Sequence, residues 1–256
     1  MDPVSLDPYF PPAAFRIYLV ILIAGAVGGI LYDAIWKKKI VTYAREIEWK
    51  RSFGKGDASN RSRFSVAISV LFRNIFSSGE IASCEERSVD VPRRVAHLLL
   101  FWGLIVSALS MLVRAFIFPT LNDFPFTNGL VISTVVGYVM LLAGGLTMLF
   151  FRVNVRSELQ PVLSSSRADL FLYSVIAATL VQFLLLGAQF SGNSAFAIGA
   201  LVVYVPVTAI PFLTMAWSKF PHIIYKPFYA FRRELDMAEG YSHLPSPSKT
   251  NFIKTK

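Results

Sequence analysis

Residues Ala13 to Trp36 read AAFRIYLVILIAGAVGGILYDAIW, an apolar run that is interrupted by charge only at Arg16 and Asp33. A helix needs roughly 20 apolar residues to cross the hydrocarbon core of a bilayer, because lipid offers the backbone no hydrogen-bond partner. This stretch is long enough, and it ends in aromatic residues followed by Lys37 to Lys39, a pattern typical of a membrane interface. It therefore predicts a transmembrane helix.

Four further stretches meet the same requirement. The predicted spans are Ala13–Trp36, Val95–Phe118, Gly129–Phe151, Leu170–Phe190 and Ala195–Trp217. The composition agrees with this interpretation, since 54% of the residues are hydrophobic, 16% are charged and the mean hydropathy is +0.53. Such values fit a soluble domain badly. We predict an all-α membrane protein, a bundle of five transmembrane helices in the cell membrane.

The positions of the basic residues predict the orientation of the bundle. The segment from Lys37 to Ala96 holds 13 Lys or Arg, the link from Arg152 to Arg167 holds 3, and the tail from Lys219 holds 7. Short loops rich in Lys and Arg stay in the cytoplasm, so the N-terminus is predicted outside and the C-terminus inside. The net charge of +9 then belongs to one face, which favours anionic lipid rather than nucleic acid as its counterpart.

This interpretation divides the chain into four parts. They are an outer N-terminus with the first span (1–36), a basic cytoplasmic loop (37–94), the four remaining spans (95–217) and a cytoplasmic tail (218–256). In the loop, apolar residues recur at helical spacing from Arg61 to Phe76, which predicts an amphipathic helix on the membrane surface or against a partner. From Glu234 onward the tail is mostly polar, and we expect little fixed structure there. The single cysteine, Cys84, excludes a disulfide framework and a cysteine-ligated cluster within this chain.

Two histidines are candidate metal ligands. His97 enters the second span and His222 follows the fifth, so the antiparallel topology predicts both at the same depth near the cytoplasmic face. Two imidazoles on different helices are the axial ligands that a low-spin b-type haem needs. The alternative is that both are interfacial histidines that bind backbone or headgroups. A third histidine, His243, falls in the polar tail.

Several segments of the chain resemble the cytochrome b (gamma) subunit of respiratory nitrate reductase. They are Leu31–Asp33 (LYD), Ala143–Leu146 (AGGL), Leu163–Leu170 (LSSSRADL) and Trp217–Pro227 (WSKFPHIIYKP). Subunits of that family hold two haems between the second and fifth helices and pass electrons from a quinol to an iron–sulfur subunit. The resemblance implies that His97 and His222 bind the haem nearer the cytoplasm. Ser107 and Tyr204 stand where the second pair is expected, and neither is a normal ligand of a low-spin haem, so one haem b is implied.

The region before the second span is more similar to the membrane subunit of heterodisulfide reductase. The segments concerned are Leu71–Phe76 (LFRNIF) and Arg93–Gly103 (RRVAHLLLFWG). This resemblance implies a cytoplasmic iron–sulfur partner of the heterodisulfide-reductase type, or one like the nitrate reductase beta subunit. The basic loop, with Lys226, Arg232 and Arg233, is the expected docking face. The chain is then an electron-transfer subunit rather than a complete enzyme, and its rival interpretation is a haem-free structural anchor or assembly subunit.

A lipophilic carrier, a membrane quinone or a methanophenazine-like molecule, requires a site of its own. Arg114, near the outer end of the second span, is either a snorkelling interface anchor or part of such a site. The second interpretation predicts a head-group pocket in the outer half, formed by Ser107, Arg114, Asp123 and Gln182. A transporter is disfavoured because the spans contain no charge pair and no broken-helix repeat.

Overall fold

The computed structural model describes residues 4–36, 39–51, 62–70, 72, 87–117, 129–154, 169–214 and 220–241. These residues form eight helices: α1 (Pro12–Trp36), α2 (Lys39–Arg51), α3 (Arg63–Val70), α4 (Arg87–Phe116), α5 (Gly129–Asn154), α6 (Leu170–Phe190), α7 (Ser194–Leu213) and α8 (Phe220–Glu239). Five of them are long and apolar enough to cross a membrane: α1, α4 from Val91, α5 as far as Phe151, α6 and α7. The prediction of an all-helical, multi-pass membrane protein is confirmed at this level. The orientation of the termini stays a prediction.

Most predicted ends of the spans agree with the helices to within three residues, but α4 begins at Arg87 rather than Val95, and the fifth span also differs. α7 begins at Ser194 after Asn193, whose side-chain oxygen accepts a hydrogen bond from the Phe196 amide at 3.1 Å. This is a normal N-cap, which satisfies one of the amides left without a partner in the first turn. α7 ends at Leu213 rather than Trp217, and residues 215–219 lie outside the described part of the chain.

The chain divides into two compact units, and the first contains residues 1–29 and 81–219. In this unit α4 packs extensively on α5, α6 packs on α7, and α5 makes a smaller contact with α6. The α4–α5 contact is close because small residues meet in it. A Cβ built on Gly144 would lie 2.7 Å from the carbonyl oxygen of Ala96. Small residues let helix backbones approach in lipid, where the hydrophobic effect does not drive association.

Polar side chains fix the first part of α1 against the same unit. The guanidinium of Arg16 donates to the carbonyl oxygen of Ala115 at 2.8 Å, and the hydroxyl of Tyr18 donates to the carbonyl oxygen of Val205 at 2.8 Å. Ahead of α1, the amide of Val4 donates to the carbonyl oxygen of Gln189 at 2.9 Å. The N-terminal segment is thereby held at the end of the bundle where α4 and α6 end and α5 and α7 begin, which we call the Arg114 end.

The second unit contains residues 30–80 and 220–256. Its core forms where Val66 and Val70 of α3 pack against Ala230 and Ala238 of α8. The predicted amphipathic helix is therefore present between Arg63 and Val70, and one of its faces contacts this chain's own C-terminal helix; residues 73–76 of the prediction lie outside the described residues.

The tail from Glu234, most of which we expected to be mobile, begins as the end of α8 as far as Glu239, and residues 242–256 lie outside the described residues. One expectation for this unit needs correction. Arg232, assigned to the docking face from the sequence, is only 9% exposed and pairs with Asp236 at 2.6 Å. The amphipathic spacing of α8 places Arg232 on the packed face. Its side chain therefore contacts residues of this chain and is not accessible to a partner. The neighbouring Arg233 is exposed.

Candidate functional site

A cavity of about 60 Å³ lies within the first unit at the Arg114 end. Residues from five helices and from the N-terminal segment line it: Leu6, Phe10, Phe15, Met111, Arg114, Thr134, Tyr138, Gln182, Leu185, Gln189, Leu201 and Tyr204. Most of the wall is apolar, and the polar groups are concentrated in a few side chains. Ligand sites commonly combine an apolar wall with a small number of convergent polar groups.

Each polar side chain that lines the cavity has at least one group that can donate a hydrogen bond. Arg114 stands in the last turn of α4, and Tyr138 and Tyr204 approach from α5 and α7. The hydroxyl of Tyr138 donates to the thioether sulfur of Met111 at 3.0 Å, and a thioether is a weak acceptor. A carbonyl oxygen is a stronger acceptor than a thioether, so a ligand that carries one would improve the hydrogen bonding of this hydroxyl.

A second cavity of about 20 Å³ adjoins the same side chains. Arg114, Thr134, Tyr138 and Gln182 line both cavities. The two cavities therefore share these four side chains.

The N-terminal segment forms one wall of the larger cavity. Leu6 is 5% exposed and packs in one apolar cluster with Leu185, Leu201 and Tyr204, while Phe10 contacts the edge of that cluster. Sequence reasoning missed this contribution, although Leu6 and Phe10 are conspicuous apolar residues in a short stretch rich in proline and acidic residues.

The structure brings together two of the four residues assigned to the carrier site from the sequence. Arg114 and Gln182 line both cavities. Ser107 lines neither, because it is buried between α4 and α5, where its hydroxyl donates to the carbonyl oxygen of Gly103 at 2.7 Å. Asp123 lies outside the described residues. Tyr204, which the resemblance placed at the second haem position, instead lines the larger cavity beside Arg114.

The two predicted haem ligands lie in different units. His97 is half-buried near the start of the apolar span of α4, in the first unit. His222 lies in the first turn of α8, in the second unit, and its side chain is outside the described part of the structure. Their matched depth stays a prediction. Neither of the two cavities is lined by His97.

The charged neighbours of His97 are suited to a haem. Arg93 and Arg94 precede it by four and three residues and are also half-buried. Residues at these spacings lie on the same face of a helix, so both arginines stand one turn before His97. A haem carries two propionate groups, and guanidinium groups are suited to pair with carboxylates. The residues around His97 thus fit one side of a haem site.

Comparison of the chain with protein-family models, with curated proteins and with solved structures found no match. A function is therefore inferred from the residues of the chain and from the resemblances described above.

Proposed function

We propose that this chain is a haem b-containing membrane subunit that relays electrons between a lipophilic carrier and a cytoplasmic iron–sulfur subunit. The observation that carries the proposal is the cavity at the Arg114 end. Two residues predicted for the carrier head group, Arg114 and Gln182, line it together with the hydroxyl groups of Tyr138 and Tyr204. In the proposed orientation this end faces the outside of the cell membrane, and the loop 37–94 lies in the cytoplasm.

His97 and His222 would hold the haem as its axial ligands, with Arg93 and Arg94 positioned to pair its propionates. The haem supplies one-electron chemistry when bound, and the protein sets its ligation, burial and charge. A chain with one cysteine needs a partner to carry iron–sulfur clusters. The basic residues of the loop from Lys37 to Ala96, with Lys226, are the proposed docking face, without Arg232.

The carrier site is proposed at Arg114, Tyr138, Gln182 and Tyr204, whose donor groups suit a quinone or phenazine acceptor atom. A cavity of about 60 Å³ is well below the size of roughly 150 Å³ at which an engineered apolar cavity takes up a benzene ring. A carrier ring therefore enters only if lining side chains move. Leu6 and Phe10 belong to a short segment ahead of α1, and their displacement leaves the helix–helix contacts in place.

The distance between the two sites bears on the rate of electron transfer. His97 and Arg114 are separated by 17 positions on one helix, which is about 25 Å at a rise of 1.5 Å per residue. Transfer over such a separation is slow, even after the radius of the macrocycle is subtracted. A carrier position nearer His97 is therefore the competing location for the same function.

Haem stoichiometry tests the central part of the proposal. We expect one haem b per chain in a pyridine haemochrome assay of the purified protein, and a low-spin spectrum that is lost in His97→Ala and in His222→Ala. His243→Ala is the matched control, because it removes the remaining histidine without touching the proposed ligands. Two haems per chain would contradict the assignment of Ser107 and Tyr204, and a chain without haem would favour the structural anchor.

A further inference from the structure

The two faces of α3 differ in a way that its packing on α8 does not require. At 100° per residue, the buried Val66 and Val70 lie on one side of the helix, and Ile68 lies almost opposite their mean direction. On that opposite side Phe64 is 76% exposed, Ile68 41% and Phe72, just past the helix, 62%. The packing of α3 on α8 therefore leaves Phe64 and Ile68 exposed.

α8 presents large exposed side chains in the same unit. Phe228 is 61% exposed, Tyr229 46% and Met237 40%, while Ala230, Leu235 and Ala238 are buried. Tyr229 and Met237 are eight residues apart and share a face with the exposed Arg233. Apolar and aromatic residues interspersed with Arg are typical of a helix that lies in a membrane interface.

The second unit begins inside a membrane-crossing helix. Ile30 to Trp36, the last two turns of α1, belong to the same compact unit as α3 and α8. Tyr32 and Trp36 stack at a centroid distance of 5.8 Å and are 45% and 73% exposed. Such amphipathic aromatic residues are enriched at the boundary between lipid and water. A unit that contains the end of a span remains at the membrane surface.

We infer that the Phe64–Ile68–Phe72 face of α3, together with the exposed face of α8, is a lipid-binding surface that inserts into the headgroup region of the same bilayer. The occupant is lipid rather than a protein partner, because the last two turns of a membrane-crossing helix already hold the unit at the bilayer. This inference is independent of the haem and of the carrier. It holds for either orientation of the bundle.

Site-directed fluorescence quenching in the full chain tests the inference. In a Cys84→Ser background, Phe64→Cys and Ile68→Cys are labelled with bimane and reconstituted in phosphatidylcholine vesicles that contain a minority of phosphatidylglycerol. Ser69→Cys is the matched control, since Ser69 is exposed on the same helix but lies 100° around from Ile68. We expect brominated lipid to quench the labels at 64 and 68 several-fold more strongly than the label at 69, and aqueous iodide to show the reverse order.

Two outcomes would overturn the inference. In the first, iodide quenches the labels at 64 and 68 as strongly as the label at 69, and brominated lipid quenches all three labels equally. In the second, Phe64→Cys is protected from a water-soluble maleimide in native membranes but reacts freely after purification and reconstitution, which would show that a protein covers this face.

Discussion

Gly103 of α4 and Gly137 of α5 face each other so closely that a Cβ built on Gly103 would lie 2.8 Å from the carbonyl oxygen of Gly137. A Cβ on Gly137 would lie 2.8 Å from the amide nitrogen of Ser107. Both neighbouring atoms belong to the backbone, so neither can turn aside as a flexible side chain would. This contact fixes the distance between α4 and α5, and thus the positions of Arg114 and Tyr138 across the cavity.

We expect Gly137→Ala to destabilise the bundle although alanine favours helices. The better helix propensity contributes at most about 1 kcal/mol, whereas overpacking a close contact costs about 1–3 kcal/mol. Thermal unfolding in detergent measures the net change in stability that results from these two effects. Gly199→Ala on α7 is the control, because a Cβ there meets nothing within 4 Å and keeps only the propensity gain. Equal stability of the two variants would show that α4 and α5 can separate at little cost.

Arg114→Gln should weaken the interaction with the carrier if the cavity binds its head group. Losing a hydrogen bond to a charged group costs about 1.5–3 kcal/mol, so the apparent affinity for a short-chain quinol should fall about tenfold or more. Haem reduction kinetics provide the measurement. Arg16→Gln is the matched control at the same end, since Arg16 bonds to the carbonyl oxygen of Ala115 and does not line either cavity. If Arg114→Gln behaves like Arg16→Gln, the carrier binds elsewhere, nearest to His97.

Asp236→Asn should destabilise the second unit strongly. Asp236 and Arg232 are 3% and 9% exposed, and removing one partner of a buried pair leaves a charge without compensation, at a cost of about 3–5 kcal/mol. The double variant Arg232→Met/Asp236→Leu should recover most of this loss, because it removes both charges. Chemical unfolding followed by helix content measures both effects. The control is Arg63→Ala, which breaks the exposed pair with Glu239 and should cost less than about 1 kcal/mol.

Crosslinking should identify the docking face for the iron–sulfur partner. We expect Lys50 and Lys55 of the basic loop to crosslink to that partner in the native complex, since a basic surface attracts an acidic partner. Mass spectrometry of the crosslinked peptides provides the measurement. If these lysines crosslink only to lipid or to this chain, the basic residues of the loop set the orientation of the bundle in the membrane and do not bind the partner.

Much of the candidate site could be anticipated residue by residue, and the failures have physical causes. Arg114 and Gln182 were predictable because a polar group within a membrane span is costly and is seldom placed there without a use. Ser107 was assigned to the same pocket, but a serine can satisfy its hydroxyl on its own helix, as it does with Gly103. Leu6, Phe10 and Tyr138 were missed, since an apolar or aromatic residue gives no sequence signal that distinguishes the wall of a cavity from filled core.

By itself the sequence determined which five helices of the described residues are long and apolar enough to cross a membrane, because the apolar length of a span depends only on about 20 consecutive residues. It also determined where charge accumulates, since charge is a property of composition. The tertiary structure alone decided that α4 packs on α5 through glycines and that Leu6 reaches the cavity beside Tyr204. Within lipid the hydrophobic effect does not determine which helices associate. These outcomes therefore depend on the fit of small residues and on hydrogen bonds between distant segments. A local sequence pattern contains no information about either.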